Sequence, residues 1–449
     1  MTDLKRHWPA ALAGVLAAGL GLGIAELLAG ALGRAITPVS AVGETVIALS
    51  PGALNEWAIG TFGTANKAIL IAGVLVVFAL LAAGIGLLTA RRRGLGVLAA
   101  AALGLVALVA VYTRPDAQAY DLLPVIVGMA AAVLVLLPLV RSAEAASAPP
   151  EAAWAPPERV SAAPEGAAIA EPPASPETSP QPVGRPGRRT FLRVAAAVGA
   201  VAAGAGGIGQ WLGSRRVGVE SSREDLAAPQ ALPRNLPEPA VPDGVNVQVP
   251  DVAPWRTPND DFYLIDTALS KPLVQPEDWS LRVHGMVEEE LMLSFDDLVS
   301  IGLIDRWITL CCVSNQVGGD LIGNALWTGV RTSDVLGMAG PLADADAVKS
   351  VSYDGWNCGT PLEALTDGRD SMFAVAMNGE PLPVEHGFPV RMVVPGLYGY
   401  VSATKWVVNV EVTRFDQFEA YWTERGWAER GPVKVQSRID VPSSGAGLA

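Results

Sequence analysis

The sequence runs to 449 residues, enough for two or three folded units at roughly 100–200 residues per domain. Its formal net charge of -13 excludes a nucleic-acid-binding surface, which needs basic charge to meet phosphates. The 3 cysteines, adjacent at Cys311 and Cys312 with Cys358 apart, are too few for a disulfide framework.

A mean hydropathy of +0.33 hides two unlike halves, an apolar one and, from Ser214, a mixed and acidic one. Crossing a bilayer takes about 20 apolar residues, and Trp8–Leu32, Ala68–Leu88, Gly94–Tyr112 and Leu122–Val140 reach that length. A fifth such segment is Val194–Leu212. The stretch Ile36–Trp57 is apolar but interrupted by Pro38, Glu44 and Pro51, and reads as a loop lying on or dipping into the membrane. None of His7, His284 and His386 lies inside an apolar segment, so no haem held by two histidines is expected in the spans. Glu26 is an intramembrane carboxylate and by that fact a functional candidate; the plainer reading is that it reaches the outer interface or a polar gap between helices.

Lysine and arginine gather at alternate ends: Lys5 and Arg6, then Arg91, Arg92 and Arg93, then Arg141 with Arg185, Arg188, Arg189 and Arg193. By the positive-inside rule the N-terminus is cytoplasmic. The expectation is a multi-pass cell-membrane protein with its C-terminal half on the extracytoplasmic side.

Residues 1–141 thus read as a four-helix transmembrane region, and 142–187, rich in Ala, Pro, Glu and Ser, as a linker that cannot bury enough surface to fold. Residues 188–213 form an anchor helix opening on Arg188-Arg189-Thr190-Phe191-Leu192, which resembles the twin-arginine export motif. That route carries folded domains and suits proteins that take up a cofactor before export. A convincing small-residue cleavage site is lacking, so the helix is expected to stay. A connecting segment, 214–249, leads to a domain over 250–449.

In that domain Trp279–Val283, Trp307–Leu310, Lys349–Tyr353, Phe373–Met377, Pro389–Val394 and Lys405–Thr413 read as strands. Ser294 caps a short helix starting at Phe295. Strands and short helices without a βαβ rhythm indicate an α+β domain.

A free cysteine taken alone is a small core residue. Here Thr309-Leu310-Cys311-Cys312-Val313-Ser314-Asn315 comes with an ordered series: Met377-Asn378-Gly379, His386-Gly387-Phe388-Pro389-Val390-Arg391, Val394-Pro395-Gly396 and Lys405-Trp406. Together these resemble the sulfite-oxidase-type molybdopterin oxidoreductase family, in its membrane-attached bacterial branch. The resemblance implies an N-terminal all-α transmembrane bundle, a linker and a C-terminal α+β molybdopterin-binding domain. It implies Cys312 as the catalytic residue and protein ligand of molybdenum, followed by Asn315 at the cofactor, and His386, Arg391 and Lys405 on the pterin and its phosphate. Thr257-Pro258-Asn259-Asp260-Asp261-Phe262-Tyr263 and Ser352-Tyr353-Asp354-Gly355 add Asn259, Tyr263 and Asp354 as cofactor contacts. The chemistry agrees: thiolate suits a soft metal, and forked or cationic donors suit phosphate.

The sequence departs from true sulfite oxidases where their anion-binding arginines stand. Those positions hold Val317 and Leu264 or Ile265, and the family's active-site tyrosine becomes Val375. Such a pocket neutralises a sulfite dianion poorly. The expectation is two-electron oxygen-atom transfer on another small molecule, with a separate quinone or cytochrome as electron carrier. A non-catalytic binding or sensor module is the alternative; a thiol redox pair lacks the Cys-x-x-Cys spacing. Ser437–Pro442 looks like the junction to the family's dimerisation domain, and the sequence given ends at Ala449.

Overall fold

The structure, a computed structural model, describes residues 2–32, 37–51, 65–114, 117–147, 188–214, 217–226 and 252–439, with scattered positions between them. Linker residues 148–187 and the end of the 437–442 junction lie outside the described residues. Two compact units emerge: residues 1–25, 75–105 and 124–207 form one, and 26–74, 106–123 and 208–449 the other.

Among the described residues, five helices are long and apolar enough to cross a membrane. They are α1 (Thr2–Ala31), α3 (Asn66–Arg91), α4 (Arg93–Tyr112), α5 (Leu122–Ser147) and α6 (Arg188–Ser214), matching the five apolar segments. In the first unit they meet through small residues. A Cβ on Gly14 would lie 2.1 Å from the Ala82 carbonyl oxygen, one on Gly21 2.5 Å from that of Gly128, and one on Gly23 2.4 Å from that of Ala202. Small residues let the helix backbones approach this closely, and that close approach supplies the packing. Ala13, Ala17, Leu136, Leu139, Val140 and Phe191 fill the seam.

Two expectations change. Pro38 does not break the 36–57 stretch but starts α2 (Pro38–Leu49). It sits in the first turn, where its missing N–H costs nothing, and Thr37 caps the helix by accepting from the Ser40 N–H at 3.2 Å. α5 also runs on to Ser147, past the expected linker boundary, and a short helix, α7 (Val217–Asp225), interrupts the connecting segment.

The C-terminal domain is α+β, as expected, with two five-stranded sheets among the described residues. The first holds β2 (Leu291–Ser294), β1 (Ser280–Gly285), β10 (Val407–Thr413), β5 (Ala347–Ser352) and β6 (Asn357–Pro361) in that order. The second runs β3 (Ile304–Cys311), β4 (Ile322–Arg331), β7 (Met372–Met377) and β8 (Glu380–Pro381), with β9 (Arg391–Val393) also pairing β7. β1 and β10 pair in parallel; the other pairs are antiparallel. Inward residues of the first sheet, among them Leu281, Val283, Val348, Val410 and Val412, pack with Leu298 of α8 (Phe295–Ile301) and Leu336 of α9 (Thr332–Ala339). Ser294 caps α8, its Oγ accepting from the Asp297 N–H at 3.2 Å. Every β7 residue is buried, as befits a strand flanked by neighbours.

Candidate active site

Antiparallel pairing with β4 fixes the end of β3, Cys311 lying opposite Ile322. The next residue leaves the strand. Cys311 is buried and Cys312 half-buried at the mouth of the 312–321 loop. That loop is pinned at its neck: the Cys312 N–H donates to the Leu321 carbonyl at 2.9 Å, and the Leu321 N–H to Asn315 Oδ1 at 2.9 Å. Asn315 therefore shapes the cysteine loop with the amide oxygen that would otherwise face a cofactor.

The segment from Thr257 to Tyr263 is laced to β4 and the turn after β7. Thr257 N–H donates to the Asn324 carbonyl at 2.8 Å. Asn378, at φ 55, donates from Nδ2 to Asn259 Oδ1 at 2.8 Å and to the Thr257 carbonyl at 2.9 Å. Phe262 packs where a side chain on Gly323 would lie, a Cβ there falling 2.6 Å from its ring. Phe262 then stacks on Tyr263 at 5.3 Å and meets the edges of Trp327 and His386. Burial pushes the Tyr263 hydroxyl above its ordinary value; Arg391 opposes this, and Cys312 and Cys311 add to it. Tyr263 thus senses both the cysteine end of β3 and the guanidinium.

Gly387 brings the other cluster together. At φ 108, a Cβ on it would lie 3.0 Å from the Arg391 Cβ and 3.1 Å from the Lys405 Cα, so only glycine lets the two segments touch. His386, Arg391 and Lys405 are all buried. Burial first, then Arg391 and Lys405, pushes His386 down to about 3, so the ring is neutral. Its Nε2 faces the Asn259 carbonyl at 3.2 Å, and a carbonyl only accepts, so Nε2 carries the proton. Among the described residues the buried Nδ1 has no partner, and neither has Arg391 Nε. Burial lowers Arg391 to about 10 and, against the pull of Asp266, Lys405 to about 8.

Asp266, absent from the sequence-based set, anchors Lys405. Its Oδ2 lies 2.9 Å from Lys405 Nζ and 2.5 Å from Lys271 Nζ, and its Oδ1 2.7 Å from Lys67 Nζ. Burial would raise its carboxyl, but Lys405, Lys67 and Lys271 together hold it well below the usual carboxylate range. No sequence signal marked this carboxylate: Asp266 and Lys271 look like ordinary loop residues, and Lys67 is 199 positions away.

Asp354 is not brought into this cluster. It accepts from the Trp356 N–H of its own turn at 3.1 Å, and its charge acts on Glu44 and Tyr421. Its carboxylate closes its own turn, as an aspartate in this position can.

The donor set fits a phosphorylated pterin. A guanidinium and three ammoniums share one close carboxylate, Asp266, with Glu385 further off, and two buried ring or guanidinium nitrogens lack partners. Buried cations demand counter-charge, which an anionic group would supply. No three His, Cys, Asp or Glu side chains converge as a metal site among the described residues, so Cys312 suits a metal that brings its other ligands.

The oxidoreductase molybdopterin binding domain family matches residues 268–422. The uncharacterized oxidoreductase YuiH of Bacillus subtilis (strain 168) is 35% identical over 153 residues, covering 34% of this chain and 74% of that protein. The chain belongs to the sulfite-oxidase-type molybdopterin oxidoreductases. Mitochondrial sulfite oxidase of Homo sapiens is 31% identical over 216 residues, 42% of this chain and 39% of that one. The Drosophila melanogaster sulfite oxidase is 27% identical over 216 residues, 43% of this chain and 37% of that one. This oxidoreductase thus spans under half the length of the sulfite oxidases it matches. Its molybdopterin-binding domain includes Cys312, Asn315, Asp354, His386, Arg391 and Lys405 within the matched residues; Asn259, Tyr263 and Asp266 precede them.

Proposed function

We propose that this oxidoreductase is membrane-anchored, holds molybdopterin through Cys312, Arg391, His386 and Lys405, and transfers an oxygen atom to or from a small uncharged substrate. The observation that carries this reading is the buried Arg391–Lys405 pair, with unpartnered nitrogens on Arg391 and His386, linked through Tyr263 to the cysteine end of β3. When bound, the cofactor supplies two-electron oxygen-atom-transfer chemistry.

The chain's own residues do the rest. Cys312 would offer its sulfur to the metal, its backbone fixed by the bond to Leu321. Arg391 and Lys405 hold the phosphate by charge-assisted bonds. Neutral His386 offers Nδ1 as an acceptor to the pterin rather than a third positive charge. Leu264, Ile265 and Val317, exposed at 48%, 46% and 57%, stand close in the chain to Tyr263 and Cys312, at the positions where the sulfite oxidases' anion-binding arginines are expected. Apolar side chains at these positions favour a neutral substrate such as a sulfoxide or N-oxide, with Arg438, packed on Gly318 of the same loop, as the cation near it.

The apolar helices would keep the enzyme beside a quinone or cytochrome partner, and the arginine distribution with the Arg188-Arg189 motif supports an extracytoplasmic catalytic domain. The test is the full chain from a cofactor-competent host, assayed for molybdenum and for turnover of sulfoxides, N-oxides and sulfite with an artificial electron donor or acceptor. Molybdenum with turnover of a neutral oxide is expected. Folded protein free of molybdenum would overturn the cofactor reading, and efficient sulfite oxidation would overturn the substrate reading.

A further inference from the structure

The matched family domain starts at residue 268, yet the charge cluster is completed from far outside it. Lys67 stands in the first turn of α3 and donates to Asp266 Oδ1 at 2.7 Å and to the Ala268 carbonyl at 3.0 Å. Glu44 of α2 accepts from the backbone N–H groups of Leu269 at 3.1 Å and Ser270 at 3.4 Å. Arg114, just past α4, pairs with Glu44 in turn. Leu269 also covers Gly43, where a Cβ would lie 2.6 Å from its Cδ1. The short segment 266–271 is therefore held by Gly43, Glu44 and Lys67, with Arg114 behind Glu44, all in the same compact unit.

This grip acts on the cofactor's anion end. Asp266 binds Lys405 and Lys271, and Arg391 lies within its field. Asp266, with Glu385 further off, falls short of neutralising Lys67, Lys271, Lys405 and Arg391, and among the described residues the buried Arg391 Nε and His386 Nδ1 have no partner. The unbalanced charge points to an anion. A flexible lysine stem can turn its remaining N–H donor from Asp266 toward that anion.

We infer that Lys67, from the helical region preceding the molybdopterin domain, is a cofactor-retaining residue that with Lys271 extends the phosphate cradle of Arg391 and Lys405. The helical region is then part of the cofactor site, beyond any role as an anchor. Glu44 is a positioning residue, acting through Leu269 and Ser270 on the segment that carries Asp266. The inference rests on the cofactor reading above.

The test uses the full chain loaded with cofactor in a competent host. Molybdenum per chain and the fluorescence of released, oxidised pterin are followed during dialysis for wild type, Lys67→Gln, Lys67→Arg, Glu44→Gln and, as a surface-charge control, Arg93→Gln. Lys67→Gln is expected to lose cofactor about tenfold faster, the scale of one charge-assisted bond. Lys67→Arg and the control should follow wild type, with Glu44→Gln between. Loaded wild type with Lys67→Gln equally retentive would overturn the inference and leave the cofactor reading standing; wild type without molybdenum would instead sink the cofactor reading and this inference with it. Amine labelling of wild type decides independently of variant folding. Lys67 should label several-fold more slowly in loaded than in stripped protein, while exposed Lys434 labels alike in both. Equal labelling of Lys67 in the two forms would also overturn the inference.

Discussion

Arg391 turns its Nη1 back onto the His386 carbonyl, 3.1 Å away, while its guanidinium lies 5.0 Å from the centre of the Trp327 ring. Two contacts thus fix the plane of the fork before any ligand arrives. Lysine carries the same charge but neither stacks nor forks. Arg391→Lys is therefore expected to fold and to hold at least about tenfold less molybdenum and pterin per chain, the scale of one lost charge-assisted bond. Loading equal to wild type would remove Arg391 from the cofactor-holding set.

His386 makes the domain sensitive to acid. Its folded-state value is about 3 against an ordinary 6.5, because burial and the nearby Arg391 and Lys405 disfavour the imidazolium. The unfolded chain therefore takes the proton first, and stability falls as pH drops from 6.5 toward 3. The slope from this residue is at most about 1.4 kcal/mol per pH unit. Asp266 adds to the loss only below the ordinary carboxylate range, so between pH 5 and 7 the difference between wild type and a His386 variant reads the histidine. His386→Gln should flatten the melting temperature across that window; an unchanged slope would place the acid sensitivity elsewhere.

Lys405 works at the other end of the scale and in two opposed ways. Burial lowers it to about 8, against an ordinary 10.5, so the charged form is disfavoured in the fold. Between pH 8 and 10.5 the unfolded chain holds the proton more firmly, and cofactor-free protein gains stability from this residue as pH rises. Anion holding runs the opposite way, since neutral Lys405 no longer attracts a phosphate. Cofactor loss during dialysis should accelerate at alkaline pH, starting above 8 because a bound phosphate raises the lysine again. Lys405→Met should abolish the alkaline acceleration.

Much of this site is legible in the sequence because its determinants are local. Cys312 follows an apolar run that ends in a strand, Ser294 stands three residues before Asp297, and Gly387 lies between His386 and Arg391. β4 escapes notice because Gly323, Asn324 and Gly329 interrupt its alternation; Gly323 is there to admit the Phe262 ring. α2 is hard to see in the sequence because Pro38 reads as a breaker, whereas Thr37 before it makes it a helix start. Asp266 and its grip from Glu44 and Lys67 are invisible for a different reason. The partners lie about two hundred residues apart, and no periodicity encodes such a pairing.

Val317 offers a gain-of-function test of the substrate reading. It lies on the Cys312 loop, is 57% exposed, and occupies the position where the family's anion-binding arginine is expected. Val317→Arg removes no core packing, so the fold should be unaffected. With the added charge, kcat/KM for sulfite should rise about tenfold and that for a neutral sulfoxide should fall. A variant that improves on neither substrate would remove Val317 from the pocket.

The paired cysteines give the sharpest separation of structure from chemistry. Cys311 is 3% exposed, donates its thiol to the Cys312 carbonyl at 3.4 Å, and has its thiol pushed up by burial first and then by Cys312. Those are the marks of a core residue, and Cys311→Ser should cost about 1 kcal/mol of stability while retaining cofactor and activity. Cys312, half-buried at the loop mouth, contributes little to the core, so Cys312→Ser should melt with wild type. Its turnover should nevertheless fall by more than about a hundredfold, beyond the range of outer-shell changes at metal sites. Melting curves and turnover measured on both variants separate these outcomes. The reverse pattern would make Cys311 the ligand. That would require β3 to slip one residue against β4, turning Leu310 and Ile308 out of the core, a cost their burial opposes.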